Sequence, residues 1–289
     1  MKLNEIAILS GKGGTGKTSL SAALATLGDE TIVADCDVDA ANLHIILSPS
    51  NYKTEKFITG YNAAIDYSLC TNCGVCIRNC SFNAISLING VTTINSIFCD
   101  GCELCTRICP HSAITMKVND KSKWHAAFFR NGRLIHARLE PGEENSGKLV
   151  AQVRNTAKET ANTTGIKTII IDGPPGIGCP VISSFNGVGQ VVIVTEPSTS
   201  AFHDLTRLVE VIKDFHGKKS LVINKYDINK SITNEIEKYC SLNAIEIIGK
   251  LPFDKDLISA IALKQSIVEF KPDSAISKEI RTIWEHLKS

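Results

Sequence analysis

The chain has 289 residues, enough for one large domain or two modest ones around a real core. Hydrophobic residues make up 43% and charged residues 21%, ordinary globular usage that excludes wholesale disorder. Its 31 Lys and Arg against 30 Asp and Glu leave a net charge of +1, and 6% of residues are aromatic. That balance excludes a general drive toward nucleic acid or anionic lipid, and a base-stacking platform with it.

The first strand expected is EIAILS at 5–10, and the segment LSAALATLG after it reads as a helix with Gly28 near its C-cap. TIVADCDVD at 31–39 reads as a second apolar strand ending in acids, the start of a parallel α/β sheet. The rhythm breaks near residue 60. In AAFFRNGRLIHARL at 126–139, Asn131-Gly132 between two apolar arms predicts a hairpin. A helix follows over 147–165, then a buried strand, TIIIDGPPG, at 168–176. VVIVTEP at 191–197 and SLVINKYD at 220–227 are further strands, with the helix DLTRLVEVIKDFHG between them. The last helix carries Ile276, Ile280, Trp284 and Leu287 on one stripe, to be docked on the core.

The N-terminal stretch MKLNEIAILSGKGG has no long apolar region, and no run of about 18 apolar residues exists for a membrane span or anchor. A reducing, cytoplasmic setting is therefore expected. There, the 11 cysteines, eight of them between Cys70 and Cys109, read as metal ligands rather than disulfides.

Between the first strand and helix stands GKGGTGKT, from Gly11 to Thr18, which fits the P-loop pattern in its required context. The loop and its first helical residue, Gly11, Lys12, Gly13, Gly14, Thr15, Gly16, Lys17, Thr18 and Ser19, are the candidate nucleotide-binding residues. Backbone N–H groups there close on phosphate oxygens, Lys17 meets the β- and γ-phosphates, and the Thr18 hydroxyl takes Mg²⁺.

With its second lysine, Lys12, this loop resembles the deviant Walker A of the MinD/ParA/nitrogenase-iron-protein group of P-loop ATPases. The resemblance implies that ATP with Mg²⁺ holds together a homodimer, or a heterodimer with a paralogue. Lys12 would reach the partner's nucleotide, and Asp35 and Asp37 in VADCDVD would be switch I acids. Asp35 would stand with Thr18 and the Walker B residue Asp172 around Mg²⁺, and Asp37 would orient the attacking water. Gly173 to Gly176 resembles switch II, and Asn224 in INKYD resembles the reader of the adenine edge. A bland reading stands beside each: Asp35 as a helix cap, Asp37 as a loop acid, Asn224 as a turn residue.

The cysteines repeat. C-x2-C-x2-C-x3-C occurs at 70–80 and again at 99–109, an offset of 29 residues, with Ala84-Ile85 matching Ala113-Ile114. The spacing resembles two-cluster bacterial ferredoxins, down to Pro110 after Cys109, although Ser81 stands where that family usually has proline. The resemblance implies interlaced ligation of two [4Fe–4S] clusters. One would be held by Cys70, Cys73, Cys76 and Cys109, the other by Cys99, Cys102, Cys105 and Cys80. Two all-cysteine zinc sites are the competing reading. Together these features resemble MinD-type ATPases carrying an inserted ferredoxin. The expected fold is a doubly wound, mainly parallel α/β sheet in segments 1–62 and 119–289, with a small α+β ferredoxin-like insert over 63–118.

Three cysteines remain. Cys36 and Cys240 read as small core residues. Cys179 lies seven residues after Asp172, where the resemblance implies a ligand to a cluster bridging two chains, but no second ligand is evident. Ser146, Gly147 and Lys148 within GEENSGKLV are a candidate anion site or a plain helix start, and the seven histidines look scattered. The function expected is a slow, partner-stimulated ATPase whose dimer switch is coupled to electron transfer in metallocofactor or cluster maturation, with a redox protein or apo-metalloprotein as partner. The alternatives are an ATP-dependent carrier delivering clusters to apo-proteins and, further off, a spatial positioning ATPase.

Overall fold

The computed structural model describes residues 3–28, 30–58, 60–141, 143 and 146–288. They fall into two compact units. One comprises Met1–Thr54, Trp124–Arg138 and Ser146–Ser289; the other comprises Glu55–Lys123 and Leu139–Asn145. In chain order the first unit opens with β1 (Asn4–Ser10), α1 (Lys17–Leu27), β2 (Thr31–Asp35), α2 (Leu43–Leu47) and β3 (Ser50–Lys56), whose last residues enter the second unit. The second unit holds β4 (Gly60–Ile65), α3 (Val75–Asn79), β5 (Ile85–Ile88), β6 (Val91–Ile94), α4 (Leu104–Ile108) and β7 (Ile114–Asn119). The chain returns through β8 (Lys123–Phe129), β9 (Gly132–Arg138), α5 (Ser146–Thr164), β10 (Thr168–Pro175) and α6 (Cys179–Phe185). It continues with β11 (Gln190–Thr195), α7 (Thr199–Val211), β12 (Lys218–Asn224), α8 (Lys230–Leu242) and β13 (Glu246–Leu251), and finishes with α9 (Asp256–Ala262), α10 (Ile267–Phe270) and α11 (Ala275–Lys288).

The first unit is built on a nine-stranded sheet in the order β13-β12-β11-β1-β10-β2-β9-β8-β3, parallel from β13 through β9. Continuous apolar runs such as Ile169–Ile171 and Val191–Val194 are buried, as strands covered on both faces require. The stripe Ile276, Ile280, Ile283, Trp284 and Leu287 of α11 shares one core with Leu20 and Leu24 of α1. Among the described residues, no helix is long and apolar enough to cross a membrane.

Three local expectations need correction. The strand expected over 31–39 ends at Asp35, because the Asp35 carboxylate accepts the backbone N–H groups of Asp37 and Leu43, each at 3.2 Å, and bends the chain into a loop. The hairpin turns on Arg130-Asn131, one residue earlier than expected, and Gly132 is already the first residue of β9. A Cβ there would collide with the Thr31 carbonyl of neighbouring β2, so this glycine serves close strand approach. The histidines are not scattered: His44, His125 and His136 stack face to face, with centroids 5.5 Å (44–136) and 4.8 Å (125–136) apart. Burial, then His125 and His44, push His136 down to about 3, so this imidazole is neutral.

In the second unit β4 pairs antiparallel with β7, and β5 with β6 around an Asn89-Gly90 turn with both φ positive. The cysteine repeat is also a backbone repeat. Left-handed residues recur at the same offset of 29: Asn72 and Gly101, Gly74 and Glu103, Asn83 and Ser112. Each copy places its third cysteine, Cys76 or Cys105, in a one-turn helix, α3 or α4, that ends just before the fourth. The GEENSGKLV stretch lies partly outside the described residues; α5 begins at Ser146.

Candidate functional site

The P-loop lies at the carboxyl end of β1, the strand flanked by β10 on one side and β11 on the other. Loops at this end of a parallel sheet form the usual ligand crevice. A hollow of about 1600 Å³, counted out to solvent, opens above it. Its floor is Gly13 through Ser19, one wall is the loop after β2 with Asp37 and Asp39, and another is Pro174 and Pro175 at the end of β10 with Gly178 beyond it. Gly14 and Gly16 have φ of +83° and +92°, which turns successive N–H groups toward one point. The Thr15 hydroxyl is buried in this loop with no hydrogen-bond partner among the described residues, a donor group that suits a phosphate.

Asp172 ties the loop to β10. Its carboxylate accepts from Thr18 Oγ1 at 2.8 Å and Ser21 Oγ at 2.9 Å, and pairs with Lys17 Nζ at 3.4 Å. Lys17 and Asp172 are both buried. The Thr18 hydroxyl, spending its proton on Asp172, presents lone pairs to a cation, the arrangement a Mg²⁺ ligand needs. Asp35 sits opposite Asp172 in the β2–β10 register. Burial first, and then the Asp172 charge, push Asp35 up to about 8, against the pull of Lys17. Asp35 faces loop amides rather than the hollow, so its visible work is to hold the loop that carries Asp37. Asp37 lines the hollow, and burial raises its carboxyl above the usual range.

Two expected residues stand elsewhere. Asn224 is buried under the P-loop, where its amide donates to the Thr15 carbonyl at 2.8 Å and its oxygen accepts the Lys225 N–H at 3.0 Å. It packs where a Cβ on Gly16 would go and is absent from the hollow's lining, and in this geometry it braces the loop. Lys12 turns away from the hollow and donates to Ser200 Oγ at 3.0 Å, with Glu196 at 3.6 Å. Cys179 is exposed at the start of α6, between Gly178 and Pro180, which line the hollow, while Cys36 and Cys240 are buried. Burial pushes the Cys36 thiol upward and Cys240 up to about 11, as for inert core thiols.

Sequence reasoning passed over Ser21, Glu196 and Lys225. Ser21 was legible as the residue four after Lys17 on one helix face. Glu196 and Lys225 follow the carboxyl ends of β11 and β12, where site residues collect.

The second unit holds two smaller hollows. Cys70, Cys73, Cys76 and Cys109 line one. Cys76, Cys80, Cys99, Cys102 and Cys105 line the other. The fourth cysteine of each run thus borders the hollow of the other run, and Cys76 borders both. Backbone N–H groups of Ala63 and Ala113 donate to Cys99 Sγ at 3.4 Å and Cys109 Sγ at 3.3 Å. Burial, then the neighbouring Cys99 and Cys102 thiols, raise Cys105 to about 11. Among the described residues no group of three or more His, Cys, Asp or Glu is placed to hold a single metal ion.

Comparison with known proteins agrees with the first unit. The model of the CobQ/CobB/MinD/ParA nucleotide binding domain matches residues 6–267. An uncharacterized protein of Methanocaldococcus jannaschii, MJ0578, is 38% identical over 98% of this chain and 96% of its own. The septum site-determining protein MinD of Synechocystis is 26% identical over 88% of this chain and 77% of its own. The structure of MinD from Pyrococcus horikoshii, complexed with Mg-ADP, superimposes with a TM-score of 0.59 at 18% identity, covering 99% of this chain and 96% of that one; at this identity it shows the fold. With its P-loop, its parallel sheet and this match, the chain belongs to the CobQ/CobB/MinD/ParA nucleotide-binding family, the MinD/ParA-type P-loop ATPases.

Proposed function

We propose that the chain binds and hydrolyses ATP with Mg²⁺, dimerises around the nucleotide, and carries two [4Fe–4S] clusters whose electron transfer the dimer switch controls, in metallocofactor or iron–sulfur cluster maturation. The observation that carries the reading is the pair of hollows lined by the two interlaced thiol sets, in a chain that also has a two-lysine P-loop. When bound, clusters of this kind pass single electrons. The chain's own groups supply the rest. Four thiols line one hollow and five the other, Cys76 being common to both, and the Ala63 and Ala113 amides aim at sulfur, which tunes ligand charge.

On the nucleotide side, the loop amides and Lys17 hold phosphate oxygens, Thr18 presents its oxygen to Mg²⁺, and Asp172 orients both through Oδ1 and Oδ2. Asp35 reaches the metal indirectly, by holding its loop, and Asp37 accepts a hydrogen bond from the attacking water. Lys12 belongs to the partner's phosphates in the dimer. The second reading, a positioning ATPase, is favoured by the similarity to septum site-determining proteins, but the paired thiol hollows have no task in it. Cluster delivery needs a labile site, and ligands drawn from two runs argue for retention.

The test is electron transfer from dithionite-reduced, anaerobically purified chain to a viologen acceptor, with ATP, ADP or neither. A several-fold change with ATP that disappears in Lys17→Ala is expected. Cluster oxidation at one rate in all three conditions, while ATP is turned over, would remove the coupling.

A further inference from the structure

Glu196 lies at the end of β11 with its carboxylate between two ammonium groups. Oε1 is 3.6 Å from Lys12 Nζ and Oε2 is 2.8 Å from Lys225 Nζ. Lys12 Nζ also donates to Ser200 Oγ at 3.0 Å, and Lys225 Nζ donates to the Gly14 carbonyl at 3.4 Å. The carboxylate is 16% exposed, Lys12 33% and Lys225 28%, so the group is partly shielded from water. Lys12 is thereby folded back along its own chain, away from the hollow it borders in sequence.

We propose that Glu196 and Ser200 form a cis latch that holds Lys12 within its own chain and sets the threshold for nucleotide-dependent dimerisation; the proposal rests on Lys12 acting across the dimer. The three-body arrangement makes the latch releasable. When Lys12 leaves, Glu196 keeps the shorter pair with Lys225, so no partly buried carboxylate is left uncompensated. The same Lys225 stays on the Gly14 carbonyl, so release of Lys12 does not free the P-loop. Breaking the latch therefore costs about what a partly exposed ion pair contributes, and a dimer breaks two of them. Glu196 is a positioning residue, since it touches Lys12 and does not line the hollow.

The experiment measures the dimer dissociation constant of the full chain by sedimentation with a non-hydrolysable ATP analogue and Mg²⁺, alongside nucleotide affinity of the monomer. Glu196→Gln is expected to tighten the dimer about two- to thirtyfold with nucleotide affinity of the monomer unchanged. Ser200→Ala tightens it less, in the same direction, and serves if Glu196→Gln fails to fold. A gain of association is an effect that damage to a merely structural residue does not give. Lys12→Ala is expected to lose the dimer. If Lys12→Ala loses it while Glu196→Gln and Ser200→Ala are unchanged or weaker, the latch is wrong and the trans-lysine stands. If Lys12→Ala dimerises like the native chain, the trans-lysine is wrong and the latch falls with it.

Discussion

The two units bury different things. The first packs Ile6, Ile8, Leu20, Leu24, Ile170 and Ile280 into one large aliphatic core. Among the described residues the second gathers Ala63, Cys76, Ala84, Ile85 and Ile114, flanked by Ile65, Ile77, Ile94 and Met116 and by Cys80, Cys99, Cys105 and Cys109, and leaves Tyr61, Leu87, Ile88 and Phe98 exposed. One core is closed by hydrocarbon and the other is lined by sulfur. A unit of that size with so few buried aliphatics needs further bonds to hold it, and metal ligation supplies them. The first unit's fold should then be indifferent to iron, and the second unit's should not.

The largest expected effect follows from that contrast. Stripping iron with a chelator should speed amide exchange in β4, β7, α3 and α4 by about a thousandfold or more, while β1 and β10 keep their protection. Equal protection of both units without iron would mean that the second unit folds on its small apolar core alone. The converse perturbation is Leu24→Ala, which opens a cavity in the aliphatic core and should lower the first unit's stability by about 2–5 kcal/mol in urea melts. Ile85→Ala in the second unit should cost less than half as much; an equal cost would erase the distinction.

The first unit also buries a titratable carboxyl, which sharpens the comparison. Asp35 is fully buried and raised to about 8, so between about pH 4 and that value the folded chain keeps a proton the unfolded chain has lost. Stability should therefore fall as pH rises through this window, by roughly 1 kcal/mol per pH unit. Asp35→Asn, which cannot titrate and keeps an acceptor for one of the Asp37 and Leu43 amides, should flatten that slope; urea midpoints at pH 5 and pH 8 that still differ as in the native chain would contradict it. The smallest effect is expected at Cys179. It is exposed, and the other thiols of the first unit are buried, so Cys179→Ser should leave iron content and ATPase rate unchanged. A loss of about four irons per dimer would instead make Cys179 a bridging ligand.

Much of this was legible in the chain. The P-loop sits between a strand and a helix, and the cysteine offset of 29 reappears as a repeat of left-handed backbone positions. What escaped depends on contacts remote in sequence. Asn224 in INKYD suggests a base reader, yet 209 residues separate it from the Thr15 carbonyl that claims its amide. His125 and His136 face each other across one hairpin, but His44 is remote in sequence and joins them only because α2 converges on β8 and β9. Lys12 is recognisable as an extra lysine, but its Glu196 partner follows a strand that pairs with β1 across the sheet. The end of β2 was missed because a side chain, not a glycine or proline, terminates the strand.

The most direct measurement of the central claim is iron and acid-labile sulfide in the anaerobically purified chain, with spectra of the native protein and of Cys73→Ser, Cys102→Ser and Cys109→Ser. The native chain should hold about eight of each. Cys109→Ser should lose about four irons and match the spectrum of Cys73→Ser, because Cys109 borders the hollow of the first run. Zinc without sulfide would contradict the cluster assignment, and a Cys109→Ser spectrum matching Cys102→Ser would contradict the interlaced ligand sets.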